Sequence, residues 1–264
     1  MHWFRALLLT TLLAGLVWFS FLNSASAREV AGLALDGFDS RPARSVLFVG
    51  NSRTYPHGMP YMVRAMADSA GAPVKYQVRM HALPGETFEG HWDNPRLRAM
   101  LAEGFDDVIL QASSGSHWSE ADARDFLAYG ERLVRDAAAH GARPTLFVGW
   151  NYGPSVFRDR PPAAEAGYYR DIQADHLRLA RLSGARRANV GRVWRAVLAA
   201  DPPFRLERDG NHPTLHGSYL AALVFYAHLS GGEVANVRYV PSGLSEEHAA
   251  LLRRLVGAAL RSDD

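Results

Sequence analysis

Short apolar runs alternate with longer amphipathic segments along most of this chain. The apolar runs cover residues 45–49, 74–80, 107–111, 145–150 and 188–190. Each is short, and most are strongly apolar, which is typical of strands buried on both faces. We therefore predict five strands at these positions.

The segments between and after these runs carry apolar residues at helical spacing. They predict helices over 59–70, 94–103, 120–140, 163–182, 191–200, 215–229 and 245–260. The segment 215–229 is apolar on most sides, which indicates a buried helix. Strands that alternate with helices favour a mostly parallel sheet covered on both faces. The expected fold is a three-layer α/β/α sandwich with five strands.

The N-terminal segment has the pattern of a secretory leader. Arg5 precedes an apolar stretch over residues 6–22, and small residues follow up to Ala27. This order predicts a signal peptide over 1–27, an irregular lead-in over 28–44 and one domain over 45–264. The alternative is an uncleaved membrane anchor formed by residues 6–22. Both interpretations place the domain outside the cytoplasm, in the periplasm or secreted.

Composition removes several classes of function. The 264 residues carry a net charge of only +2, which argues against a nucleic-acid partner. The chain has no cysteine, so disulfides, thiolate nucleophiles and cysteine zinc sites are excluded. The sequence also lacks the Gly-x-Ser-x-Gly elbow, the phosphate-binding P-loop and the dinucleotide fingerprint. We expect no cofactor.

A serine, an aspartate and a histidine are candidates for catalysis. Ser52 lies three residues after the first apolar run, where a parallel sheet places its ligands. Asp209 and His212 lie three residues apart, so the carboxylate can orient the imidazole and the imidazole can activate a hydroxyl. The alternative for Asp209 is simple stabilisation of a turn or a helix start.

Two positions after the second and third runs could stabilise an oxyanion together with the backbone of Ser52. Gly85 lets a backbone N–H approach a substrate oxygen closely, although it could be an ordinary turn glycine. Gln111 ends the third run, and its amide could donate a hydrogen bond into the same crevice.

The chain resembles the SGNH (GDSL-like) hydrolase superfamily, specifically a bacterial branch with a Gly-Asn-Ser-x-Thr serine motif. The matching motifs are Gly50-Asn51-Ser52, Gly85 with His91-Trp92, Asp107 to Ser114, Trp150, and Asp209-x-x-His212. The resemblance implies a flavodoxin-like fold and a Ser52–His212–Asp209 triad. The superfamily's third block usually supplies an oxyanion-binding Asn, and here Gln111 takes that place.

Several residues near the strand ends are candidates for a substrate pocket: Arg53, His91, Trp92, His117, Trp150 and Asn151. Aromatic and imidazole groups suit stacking on a sugar ring, although tryptophans are also common core residues. Arg53 could instead form an ion pair. We expect the loop 152–166 to form a rim of the site. His212 and His216 have metal-ligand spacing but lack the intervening Glu, so we expect no catalytic metal.

These features predict a secreted or periplasmic serine esterase that hydrolyses small acyl esters, with carbohydrate O-acetyl groups as a candidate substrate. The first alternative is an O-acyltransferase acting on an envelope polysaccharide with the same residues. The second is a non-catalytic carbohydrate-binding protein on a hydrolase scaffold. The expected partner is a small-molecule or carbohydrate ester, with a membrane only if residues 6–22 are retained.

Overall fold

The computed structural model describes residues 39–262, and its compact unit begins at Ala43. The strands are β1 (Ala43–Gly50), β2 (Lys75–Ala82), β3 (Asp107–Leu110), β4 (Arg143–Val148) and β5 (Arg186–Asn189). The α-helices of the described residues are α1 (Met59–Ser69), α2 (Phe88–Asp93), α3 (Pro95–Ala102), α4 (Glu120–Ala139), α5 (Ala164–Ser183), α6 (Val190–Ala199), α7 (Leu215–Ser230) and α8 (Glu246–Arg261). Short 3₁₀ helices lie at Pro56–Gly58, Pro154–Phe157 and Val234–Asn236.

The five strands form one parallel sheet with the order β2-β1-β3-β4-β5. Successive side chains of a strand point to opposite faces, so β1 contributes to two separate cores. Val46 and Phe48 pack with α1, α6, α7 and α8, whereas Leu47 and Val49 pack with α2 to α5. The predicted three-layer α/β/α sandwich is therefore confirmed.

The strongly apolar helix α7 lies in the interior, as its sequence predicts. Tyr219 to Tyr226 are all buried, and the ring of Phe225 meets Phe48 of β1 edge to face. Because α7 contacts the sheet, α1 and α8, apolar residues are needed around most of its circumference.

Helix α2 is absent from the sequence prediction. Its six residues begin after Thr87, whose hydroxyl accepts a hydrogen bond from the backbone N–H of Gly90. A helix this short shows too little periodicity to be found by pattern alone, although Thr87 is a favourable N-cap. Strand β4 also ends at Val148, two residues before the predicted Trp150.

The predicted leader over 1–27 and most of the lead-in over 28–44 lie outside the described residues, so both remain predictions. Between residues 39 and 262, no helix combines the length and apolar character needed to cross a bilayer.

The starts of four strands are held by a single buried carboxylate. Asp107 opens β3, and its fully buried side chain forms ion pairs with Arg44 of β1, Arg143 of β4 and Arg186 of β5. The N···O distances are 2.7, 3.1 and 2.6 Å. This cluster fixes the register of the sheet at the edge opposite to the carboxyl ends of the strands.

We predict that Asp107→Ala destabilises the fold by about 3–5 kcal/mol, because it removes three charge-assisted hydrogen bonds and leaves three arginines of like charge beside one another. Urea unfolding measures the change. The matched control is Glu103→Ala, which breaks the solvent-exposed pair with Arg79 and should cost far less. Equal losses in the two variants would contradict a structural role for Asp107.

Candidate active site

The structure brings Ser52, His212 and Asp209 into one hydrogen-bonded row. Ser52 follows β1, and His212 lies just before α7. The Oγ of Ser52 lies 3.0 Å from Nε2 of His212, and Nδ1 of His212 lies 2.8 Å from Oδ2 of Asp209. Residues 160 positions apart therefore meet at the carboxyl end of β1.

The turn around Asp209 fixes the proton arrangement of this row. Oδ1 of Asp209 accepts hydrogen bonds from the backbone N–H groups of Asn211 and His212, at 3.0 and 2.7 Å. Partial burial opposes ionisation, but these bonds and the His212 ring outweigh it and lower the pKa of Asp209 to about 2. An ionised Asp209 accepts only, so Nδ1 of His212 carries its proton. Nε2 is then free to accept the proton of Ser52.

The loop that carries His212 is paired along its length. The backbone N–H of Arg208 donates to the carbonyl of His212 at 3.0 Å, and that of Thr214 donates to Leu206 at 2.8 Å. The hydroxyl of Thr214 then caps α7 by accepting from Gly217. Backbone hydrogen bonds before and after His212 thus fix its position independently of the contacts of its ring.

Asn51 connects the loop of Ser52 to the two neighbouring loops. Its carboxamide nitrogen donates to the carbonyls of Glu86 at 3.0 Å and Ala112 at 3.1 Å. Its oxygen accepts from the backbone N–H of Arg53 at 3.2 Å. Asn51 is buried, so these bonds are shielded from water. The sequence motif contains Asn51, but its role is visible only from the contacts.

Gln111 supports the serine loop with its oxygen. Oε1 accepts from the backbone N–H of Asn51 at 3.1 Å and from the hydroxyl of Thr54 at 2.8 Å, whereas Nε2 donates to the carbonyl of Ala112. This differs from the expected role as an oxyanion donor. The physical reason is that the backbone N–H of Asn51 can only donate and the carbonyl of Ala112 can only accept, and together they fix the orientation of the Gln111 amide. A side chain at Gly50 would lie 2.8 Å from the same oxygen, which explains the glycine.

Two backbone N–H groups near Ser52 are free to bind an oxyanion. Within the described chain, neither the N–H of Ser52 nor that of Gly85 makes a hydrogen bond. Gly85 is exposed and has a φ of 69°, in a turn closed by the N–H of Glu86 and the carbonyl of Leu83. This positive φ favours glycine at that position.

Arg53 joins the serine loop to the histidine loop and is not a surface ion-pair residue. Its Nε donates to Oδ1 of Asn211 at 2.9 Å, and Nη1 donates to the carbonyl of Trp150 at 2.6 Å. The guanidinium lies between the rings of Trp150 and Tyr152, at 4.8 and 5.1 Å. Burial lowers the pKa of Arg53 to about 10, so the group stays charged at neutral pH.

The structure places His91 inside the protein, so the expectation that it lines a substrate pocket is not met. His91 is fully buried, and its Nε2 lies 3.1 Å from the carbonyl of Gly50. Burial and the neighbouring His81 lower the pKa of His91 to about 4, which keeps the ring neutral. A neutral ring donates through Nε2 and so supports the end of β1. Trp92 stacks instead with Arg98, at 4.6 Å.

Trp150 and His117 are also interior residues. Trp150 stacks flat on Trp194 at 4.0 Å and donates from its indole N–H to the carbonyl of Asn211. Nδ1 of His117 lies 2.8 Å from Oδ2 of Asp175. Both residues line a cavity of about 20 Å³ beside Arg53, which is too small for a sugar ring.

A much larger groove lies at the carboxyl end of β4. Its volume is about 720 Å³, and it is enclosed by the loop after β4 and by α5, α6 and Glu207. Asn151 and part of the loop 152–166 line it. Tyr169, Trp194 and Arg195 also line the groove, and they belong to no motif by which the sequence alone would indicate them.

His216 is engaged elsewhere. Its Nε2 lies 2.9 Å from Nδ1 of His248 on α8, so it pairs with that ring and not with His212.

Comparison with known proteins gives matches among solved structures. No family model and no curated protein matches the chain. A DUF4886 family protein from Bacteroides uniformis ATCC 8492 is 18% identical, with 84% of this chain and 96% of that chain covered and a TM-score of 0.70. A "putative SGNH hydrolase" from Slackia heliotrinireducens is 27% identical, with 72% and 100% covered and a TM-score of 0.58. The acetyl xylan esterase AlAXEase is 14% identical, with 70% and 99% covered and a TM-score of 0.57. These likenesses establish the fold.

We predict that Arg53→Lys weakens the link between the serine and histidine loops. A lysine ammonium cannot bond both Asn211 and the Trp150 carbonyl in the geometry of the guanidinium, so the loss is about 1.5–3 kcal/mol. Labelling of Ser52 by a fluorophosphonate should slow by about ten- to a hundredfold. Urea unfolding and the labelling rate measure the two effects.

The control for this variant is Arg98→Lys, which changes an exposed guanidinium stacked on Trp92. It should leave the labelling rate unchanged. Normal labelling of Arg53→Lys would show that the buried guanidinium does not position Ser52.

We also predict that the Asp209 carboxyl titrates near pH 2, well below the usual value of about 3.9. Because its pKa is lower in the folded state, the stabilisation it gives is complete above about pH 4. That stabilisation is lost as the pH falls towards 2. Carboxyl ¹³C chemical shifts report the midpoint, which should rise in His212→Ala. An ordinary midpoint in the unmodified protein would contradict the hydrogen-bonded arrangement.

Proposed function

We propose that this chain, which has the fold of the SGNH hydrolases, is a serine esterase with Ser52 as nucleophile. The observation that carries the proposal is the continuous row of hydrogen bonds from Ser52 through His212 to Asp209. A hydroxyl paired with a neutral imidazole, whose other nitrogen is held by a carboxylate, is the arrangement that acyl transfer requires. A purely binding protein has no need of it.

The proposed reaction begins with attack of Ser52 Oγ on the ester carbonyl. The Oγ–H proton passes to Nε2 of His212 as the new C–O bond forms, and Asp209 stabilises the imidazolium. When the ester bond breaks, His212 returns the proton to the leaving alcohol. Water then attacks the acyl-enzyme while His212 accepts its proton, and His212 returns that proton to Ser52 Oγ as the carboxylic acid is released. Each proton is therefore carried by a residue already in hydrogen-bond contact.

We assign the stabilisation of the negative charge that develops on the carbonyl oxygen to the backbone N–H groups of Ser52 and Gly85. Both are free of other hydrogen bonds within residues 39–262. Donors that are fixed in advance stabilise such a charge without reorganisation. Asn51 and Gln111 hold the loops that present them, so we treat these two as positioning residues.

The proposed substrates are small acyl esters, with O-acetyl groups on carbohydrate as the leading class. Support comes from the likeness to an acetyl xylan esterase, which shares the fold at low identity. The proposed location is outside the cytoplasm, and the support is the leader-like sequence over residues 1–27. The mechanism requires no cofactor, because Ser52 supplies the nucleophile and His212 carries each proton.

We predict that the purified protein hydrolyses p-nitrophenyl acetate and that Ser52→Ala lowers kcat by about 10⁴-fold or more. Release of p-nitrophenol measures the rate, and fluorophosphonate labelling of the same samples reports the nucleophile. Ser183→Ala, at the end of α5, is the matched control and should retain full activity. Equal rates for Ser52→Ala and the unmodified protein would overturn the proposal.

A product assay in the presence of a sugar acceptor separates hydrolysis from transfer. Hydrolysis predicts acetate as the main product, with one equivalent released for each ester cleaved. An acetylated acceptor as the main product would instead establish the acyltransferase alternative.

A further inference from the structure

We infer that the groove at the carboxyl end of β4 binds a neutral oligosaccharide chain that carries the ester. The lining residues that matter here are Tyr152, Glu165, Tyr169, Arg170, Trp194, Arg195 and Glu207. We call them the β4 groove. This inference rests on the proposed esterase function and identifies which part of the substrate the protein recognises away from the reacting bond.

The β4 groove adjoins the loop that carries the histidine. The backbone N–H of Gly153, in the groove wall, donates to the carbonyl of Gly210 at 2.7 Å. Glu207, at the other wall, pairs with Pro213 in an antiparallel bridge. Gly210 and Pro213 flank His212 in sequence. A ligand in the groove therefore lies beside the proposed catalytic row, at the sheet edge where such folds bind ligands.

The charges of the groove are balanced and unpaired. Glu165 and Glu207 supply two carboxylates, and Arg170 and Arg195 supply two guanidinium groups. Within the described part of the chain, none of the four forms an ion pair with another residue. The two carboxylates accept hydrogen bonds and the two guanidinium groups donate them, which suits the neighbouring hydroxyl groups of a sugar. Because their net charge is zero, they do not attract a polyanion.

Aromatic surfaces complete the groove. Tyr169 is half-buried, and the guanidinium of Arg195 lies 5.0 Å from its ring. Tyr152 also lines the groove, with its ring stacked on Trp118 at 5.2 Å. Trp194 lies at the base, where it is fixed by flat stacking on Trp150 at 4.0 Å and 6°. Aromatic rings next to hydrogen-bonding groups match the apolar faces and polar edges of sugar rings.

The volume of the groove also indicates which part of the substrate it can bind. About 720 Å³ lies within the range of roughly 300–1,000 Å³ that holds extended organic ligands. An acetyl group needs far less space. A long acyl chain would fill the volume but would leave four charged groups partly desolvated without partners. A chain of linked sugars satisfies both the volume and the polar groups.

The test compares two substrates in the same protein samples. The first is p-nitrophenyl acetate, which is too small to occupy the groove, and the second is a set of O-acetylated xylotetraose, mannotetraose and cellotetraose. We expect kcat/KM for at least one tetrasaccharide, relative to p-nitrophenyl acetate, to fall about five- to tenfold in Tyr169→Ala and in Glu165→Gln. The loss should appear mainly as a higher KM.

The control variant is Leu182→Ala, which removes an exposed side chain near the other end of α5. It should leave the ratio of the two activities unchanged. Hydrolysis of p-nitrophenyl acetate without cleavage of any acetylated tetrasaccharide would overturn the groove inference and leave the esterase proposal intact. An unchanged ratio in both Tyr169→Ala and Glu165→Gln would have the same meaning.

A binding measurement separates the inference from catalysis altogether. Titration calorimetry of the Ser52→Ala protein with the three unacetylated tetrasaccharides should detect binding that weakens about five- to tenfold when Tyr169→Ala is added. Binding of this kind without esterase activity would support the groove and overturn the esterase proposal. Absence of binding by all three sugars would overturn the groove inference.

Discussion

The buried amide pair of Asn51 and Gln111 is the interaction on which the candidate site depends. Gln111 follows β3, and its side-chain oxygen accepts a hydrogen bond from the backbone N–H of Asn51, which follows β1. The side-chain nitrogen of Asn51 donates to the carbonyls of Glu86 and Ala112. Three loops are thus joined by bonds that water cannot replace, since both amides are buried. Loss of either amide would leave several backbone groups unpaired. The position of the Ser52 backbone, and with it the proposed oxyanion donors, follows from this pair.

Arg53 connects the serine loop to the histidine loop. A guanidinium is costly to bury without a carboxylate partner, and that cost is visible in its lowered pKa. Bonds to Asn211 and the Trp150 carbonyl, together with two aromatic faces, offset it. Asp107 works in the same way at the opposite edge, where a single carboxylate holds three arginines. Buried charge thus orders both ends of the sheet.

The β4 groove and the proposed catalytic row share one rigid wall. Trp194, at the base of the groove, stacks on Trp150, which in turn contacts Arg53 and donates to the carbonyl of Asn211. Because Trp194 and Trp150 stack flat and the other contacts are direct, the base of the groove and the loop of Ser52 are connected through packed side chains. In the proposed function, the catalytic row carries out the chemistry and the groove residues recognise the alcohol part of the ester.

The α/β/α sandwich could be predicted from the amino-acid sequence, because alternating apolar runs and helical patterns report burial locally. Ser52, Gly85 and the Asp209–His212 turn could likewise be proposed as candidate site residues, since a strand end and a three-residue spacing are local features. Tertiary structure alone decided that Gln111 turns its oxygen to the serine loop, that His91 and Trp150 are interior, and that a groove forms beside β4. These outcomes depend on side chains from separate strands and helices meeting at one edge. Such meetings are set by packing and by hydrogen-bond partners far apart in the chain, which no local pattern records.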